Sequence, residues 1–168
     1  MKVSELLIEA FGRLPDLVEG AVDGLSADQL AARPEPGANT VGWLVWHLTR
    51  VQDHHVSELL GRDQVYVSGD WAESFGRKPD ADDTGYGHDA AKVAAVRPRD
   101  GQALVAYYRA VHDRTIAYLR GISEADLDRV VDERWDPPVT LGVRLVSVLD
   151  DDTQHVGQAA YVRGLLVR

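Results

Sequence analysis

The stretch from Thr140 to about Gly164 repeats apolar residues at helical spacing, yet its inward stripe carries ionisable side chains. Val148, Asp151, Asp152, His155, Ala159 and Val162 fall on one face. Such a face must meet a core, and ionisable groups taken into a core are costly unless they are paired or bind a metal. A second apolar run, Gly42-Trp43-Leu44-Val45-Trp46-His47-Leu48, is interrupted in the same way by His47. Asp151 and His155 are four residues apart, one helical turn on a shared face. Two such helices facing each other could hold one divalent cation between His47, Asp151 and His155.

The remaining periodicity is also helical. Val3, Leu6, Leu7, Ala10, Leu14, Leu17, Val18, Ala21 and Val22 keep one phase across Pro15, which predicts a kinked helix from about Val3 to Asp23. Ser26-Ala27-Asp28-Gln29 has the capping-box pattern of a short helical turn. Asn39 or Thr40 caps a second long helix that runs to about Leu60, with Gly61 as its stop. Asp100 caps a third, through Leu104, Tyr107, Tyr108, Val111, Thr115 and Tyr118 to Gly121, and Ser123 to Asp128 forms a short turn. Pro137-Pro138 breaks the chain before Thr140 caps the fourth. Residues from about Arg62 to Arg99 are rich in Gly, Pro and Asp and show little periodicity; connections of that length are usually functional or mobile. No strand alternation stands out. The expectation is an all-α four-helix bundle, with residues 1–168 as one domain and a long connection between helices 2 and 3.

Composition narrows the partners. With 18 Lys+Arg against 27 Asp+Glu the formal charge is −9, and the scattered basic residues form no patch for nucleic acid or an anionic membrane. No run reaches the length of a bilayer span, and Met1-Lys2-Val3-Ser4-Glu5 does not open like a signal peptide, so the expected location is cytoplasmic. The chain has no cysteine. Any metal must therefore be held by His and carboxylates, and any thiol chemistry must use a thiol from outside.

Other polar residues have competing readings. A single His on an apolar face is more often a hydrogen-bonded core residue than a ligand, so His47 gains weight only beside Asp151 and His155. Asp150 and Asp152 are expected to be solvated or to support the site from behind. His54 and His55 fit a supporting role, a proton shuttle or an exposed helix end. His112 is expected to make surface or interhelix hydrogen bonds, and His88 to reach the site only as part of a lid. Gln158 is placed to orient a ligand or to bond between helices. Arg50 and Arg144 are candidate anion clamps or surface ion-pair partners. Trp71, Phe75 and Tyr86 either form an apolar lid or simply pack the loop onto the bundle.

Two stretches carry a family resemblance that spans nearly the whole chain: Pro36-Gly37-Ala38-Asn39-Thr40-Val41-Gly42-Trp43-Leu44 running into Trp46-His47-Leu48, and Asp151-x-x-x-His155-x-Gly157-Gln158. The sequence resembles the DinB-like superfamily, within it the actinobacterial branch related to mycothiol-dependent maleylpyruvate isomerases. The resemblance implies a DinB-like bundle with metal ligands at His47, Asp151 and His155; Asp151 departs from the His or Glu that relatives often carry there. Two imidazoles and a carboxylate leave coordination positions open and suit Zn²⁺, Ni²⁺, Fe²⁺ or Co²⁺, with zinc the default by availability and by family. It further implies an exogenous low-molecular-weight thiol such as mycothiol as cosubstrate, acting on a small electrophile.

Three function classes follow. A thiol-dependent transferase or isomerase is the leading expectation. A metal-dependent hydrolase would turn over without thiol, and a non-catalytic metal- or ligand-binding stress protein would bind without turnover.

Overall fold

The structure, a computed structural model, describes residues 1–167. Its centre is a helix whose first ten residues, Val41 to Arg50, are all buried. This helix, α4 (Val41–Leu60), is apolar around most of its circumference and is therefore covered on every side. Thr40 caps it by accepting from Trp43 N–H, and Gly61 ends it in the left-handed conformation. Around it pack α2 (Leu14–Val22), α3 (Ala27–Ala31), α7 (Gly101–Leu119) and α8 (Leu141–Leu166), with α8 and then α7 as its principal neighbours, while α1 (Val3–Gly12) lies against α7 and α2. The buried apolar residues of these helices form one core.

The expected kink at Pro15 is a break of one residue: Arg13 ends α1 and opens α2, and Pro15 sits in the first turn, where its missing N–H costs nothing. The capping box at Ser26, the cap at Asp100 and the cap at Thr140 all form as the sequence indicates. The connection between the second and third long helices holds a 3₁₀ turn at Val65–Val67 and two short helices, α5 (Trp71–Ser74) and α6 (Ala90–Ala94).

A two-stranded hairpin, β1 (Val130–Asp132) with β2 (Val139–Thr140), corrects the expectation of no strands. Two and three residues are too few to show alternation. What fixes the hairpin is Asp132, which accepts from Arg134 Nε and Nη2 at 2.8 and 2.9 Å and from Arg144 Nη2 at 2.9 Å. Among the described residues no helix is long and apolar enough to cross a membrane.

Candidate metal centre

α4 and α8 bring His47, Asp151 and His155 together. A ring nitrogen of each histidine and a carboxylate oxygen of Asp151 lie within 4.8 Å of one another. The imidazoles meet edge to face with centroids 4.7 Å apart, and Trp43 stacks on His47 at 4.6 Å, one turn back along α4.

Both histidines are held in a defined tautomer. His47 Nδ1 lies 2.6 Å from the Thr84 carbonyl, and His155 Nδ1 lies 2.8 Å from the Asp151 carbonyl. A carbonyl only accepts, so each Nδ1 carries the hydrogen and each neutral ring keeps its lone pair on Nε2. Histidine ligands to metals are commonly oriented by such a bond. Burial is the main reason the His47 pKa falls to about 4; the Thr84 bond opposes it, and His155 and His88 add to it. The ring is therefore neutral, and able to ligate, at physiological pH. Asp151 Oδ2 lies 3.5 Å from His155 Nδ1, is buried and makes no hydrogen bond among the described residues. Burial raises the Asp151 pKa, with Asp150 adding to it and His155 opposing it. A cation would reverse that balance. Two Nε2 lone pairs and an orphaned carboxylate oxygen fit a divalent ion with positions left open.

A sequence profile of the DinB superfamily matches residues 10–159. The chain belongs to the DinB superfamily. Its fold is also similar to the crystal structure of a conserved protein from Enterococcus faecalis, with TM-score 0.90 and 35% identity over 99% of this chain and 98% of the other. No curated protein matches the chain. The DinB bundle stands on these findings, and the candidate His/Asp cluster on the side-chain geometry of this structure.

In this DinB-superfamily chain the clamp on His47 comes from the long connection. Gly85 is buried at φ +92°, and a Cβ there would lie 2.7 Å from His47 Nδ1 and 3.0 Å from the Trp46 ring. Only glycine lets the backbone pass this close to His47. Arg50 anchors the same segment from inside the core. Its Nε donates to the Asp83 carbonyl at 3.0 Å, and Nη2 to the carbonyls of Asp80 and Ala81 at 3.1 Å each. Nη1 donates to Gln64 Oε1 at 2.6 Å. Arg50 is fully buried, so it is neither an anion clamp nor a surface partner but a strut for the loop. Asp53 lies 3.7 Å from Arg50 and accepts from the backbone N–H of Val65 and Tyr66 and from the Tyr107 hydroxyl, fixing the start of the connection.

His88 sits behind the site rather than in a lid. Its Nδ1 accepts from Trp43 Nε1–H at 3.1 Å, its Nε2–H donates to Asp83 Oδ1 at 2.8 Å, and its ring stacks on Trp46. Arg77 pairs with the other oxygen of Asp83. Burial alone would raise the Asp83 pKa, but Arg77 and His88 outweigh it and hold the carboxyl below its ordinary value. Trp71 and Phe75 pack on Tyr107, so those two serve the core, whereas Tyr86 is 92% exposed at the mouth of the cavity beside the metal centre.

That cavity, about 480 Å³, runs from His47 and Asp151 past Val51 and Val148 to His54 and His55. Gln64 Nε2 donates to His54 Nδ1 at 3.1 Å, which leaves His54 an Nε2–H donor at the cavity wall. His54, His55 and Glu58 also lie close enough together to hold a cation. Charge argues against it: Arg144 Nη1 is 2.9 Å from His55 Nδ1, and Arg134 is 3.9 Å from Glu58. Burial, then Arg144, lowers the His55 pKa to about 3, so His55 is a neutral acceptor for Arg144. Arg144 is thereby committed to Asp132 and His55 rather than to an anion.

Three further placements differ from expectation. Asp152 is not solvated but fully buried, with both oxygens unpartnered among the described residues; burial and Asp151 raise its pKa far above the ordinary value. It points into the bundle beside Tyr108, whose hydroxyl is also buried without a partner. His112 stacks on Tyr108 and its Nδ1 makes no hydrogen bond among the described residues. Gln158 is exposed and has no side-chain hydrogen bond among the described residues. Asp150 is solvated as expected and accepts from Gln154. Sequence reasoning misses Asp83, Thr84 and Gly85; for the last two the one available signal is the Thr84-Gly85-Tyr86-Gly87-His88 run, whose two glycines mark a tight path.

Proposed function

We propose that His47, Asp151 and His155 hold one divalent cation, zinc by availability and by the family resemblance, and that the protein is a transferase or isomerase for a small electrophile that uses a low-molecular-weight thiol such as mycothiol. The observation that carries the metal reading is the pair of Nδ1-locked imidazoles with free Nε2 lone pairs beside the orphaned Asp151 Oδ2. The thiol reading rests on the resemblance to mycothiol-dependent relatives and on open coordination positions facing a cavity. When bound, such a cation stabilises thiolate over thiol near neutral pH.

The chain's own residues then do the positioning. Thr84 and the Asp151 carbonyl orient the two imidazoles, Trp43 packs against His47, and the Arg50-anchored loop keeps bulk water from that side of the ring. Val51 and Val148 give the cavity an apolar floor for the thiol's partner, with His54 as a hydrogen-bond donor on its wall. The reading places the protein in the cytoplasm, where small thiols are kept reduced.

The test is consumption of thiol and of a panel of electrophiles by metal-loaded protein. Conjugation or isomerisation that requires both metal and thiol is the expected result. Turnover that is unchanged when thiol is omitted would make the protein a hydrolase, and binding without turnover would make it a non-catalytic module.

A further inference from the structure

We infer that His54 determines specificity: its Nε2–H binds a carbonyl oxygen at the far end of a ligand whose other end sits on the proposed cation. This rests on the proposed metal centre at His47, Asp151 and His155.

Two buried side chains, Arg50 and Gln64, fix this donor. A guanidinium can only donate, and Arg50 Nη1 lies 2.6 Å from Gln64 Oε1. A carbonyl can only accept, and Gln64 Nε2 donates to that of Ala81 at 3.0 Å. The Gln64 amide therefore cannot turn round, and its second N–H donates to His54 Nδ1 at 3.1 Å. Nδ1 of the neutral ring accepts, so the hydrogen sits on Nε2. That Nε2 makes no hydrogen bond among the described residues and is not sealed in the core. The relay thus holds one tautomer of a ring whose outer N–H is left for a partner at the cavity wall. His55, the other imidazole at that end, already accepts from Arg144.

The placement of that N–H sets the shape of the ligand. His47, Val51 and His54 lie at i, i+4 and i+7 on one face of α4, and all three line the cavity. Val148 and Asp151 line it from α8. The cavity therefore has the candidate centre at one end, Val51 and Val148 between, and a fixed donor at the other. Seven residues of α-helix rise about 10 Å. A metal–ligand bond of about 2 Å and a hydrogen bond of about 2.9 Å leave on the order of 5 Å for the ligand itself. A short apolar chain between a metal-binding head and a carbonyl covers that span.

The experiment measures Kd by calorimetry on Zn²⁺-loaded protein for two series, one with a thiol head and one with a hydroxamate head. Each series runs from two to six methylenes and ends in an acetyl group, which only accepts, or an isopropyl group of the same shape. Acetyl should bind about two- to tenfold more tightly than isopropyl, the size of one net hydrogen bond. The gain should appear at one or two adjacent chain lengths, because the donor is fixed. His54→Leu should abolish it, and His54→Gln, which keeps an N–H at a similar reach, should retain it. Ring ¹⁵N shifts at pH 8 should show His54 Nε2 protonated and Nδ1 bare, with or without metal. Equal affinities for the two tails, a gain at every length alike, or a gain that survives His54→Leu would overturn the inference, as would the opposite tautomer. A tail gain among the hydroxamates with no thiol binding would support it and remove the thiol reading. Thiol binding with indifferent tails would overturn it and leave that reading standing. No binding in either series would overturn it together with the proposed centre.

Discussion

The Thr84 carbonyl accepts from His47 Nδ1 at 2.6 Å because the next residue, Gly85, has no side chain to hold the loop away from the ring. One backbone contact therefore sets both the tautomer of His47 and the direction of its lone pair.

Gly85→Ala should displace that carbonyl, since the new Cβ would fall 2.7 Å from His47 Nδ1 in a conformation unfavourable to L-residues. Loss of an orienting bond of this kind typically weakens metal affinity about 10- to 100-fold. Gly87→Ala is the control. Its φ is +72°, but open space surrounds the position, so it should lower stability by about 1 kcal/mol or more and leave affinity unchanged. Zinc titration calorimetry and thermal unfolding on both variants separate the two effects.

Arg50→Lys should destabilise the protein by about 3 kcal/mol or more, because one ammonium cannot serve the acceptors that the buried guanidinium fork reaches. Amide hydrogen exchange should also speed up at Thr84 and Gly85, ahead of α7. Unchanged exchange in that loop would remove Arg50 from its support.

The folded chain keeps Asp152 protonated well above its ordinary pKa, while the unfolded chain releases that proton near pH 4. The folded state thus binds more protons above that point, and this contribution to stability is lost as pH rises towards the folded-state pKa. Asp152→Asn should flatten the loss, by on the order of 1 kcal/mol per pH unit at most between pH 5 and 8. Urea unfolding of both proteins at the two pH values gives the comparison; identical slopes would contradict it.

His55 works in the opposite direction. Its pKa is about 3 when folded against 6.5 when unfolded, so the unfolded chain takes up the proton first. Its contribution is complete above pH 6.5 and is lost as pH falls from 6.5 towards 3. His55→Gln, which can still accept from Arg144, should lose less stability than wild type between pH 7 and 4. Urea midpoints at those pH values check it, and an equal loss in both would count against a neutral His55.

The helices were legible because their signals are local: caps at Thr40, Asp100 and Thr140, the stop at Gly61, and apolar stripes that hold phase. The trio was legible for a related reason, since Asp151 and His155 break an apolar stripe one turn apart and His47 breaks another. What surrounds the trio is a different matter. Thr84 and Gly85 reach His47 through tertiary approach of a segment with no periodicity, and no spacing in the sequence announces that. Arg50 and Asp152 were misjudged together: a charged residue in a helical run reads as solvated, and only the packing of α4 and α8 into the bundle shows both to be fully buried. The hairpin at Val130–Asp132 escaped because it depends on Arg134 and Arg144 closing on Asp132 rather than on alternation.

The metal content of the purified protein, beside His47→Ala, Asp151→Ala and His155→Ala, tests the central claim most directly. Elemental analysis by inductively coupled plasma mass spectrometry should find about one divalent ion per chain in wild type and a marked loss in each variant. Full occupancy retained in all three variants would contradict it.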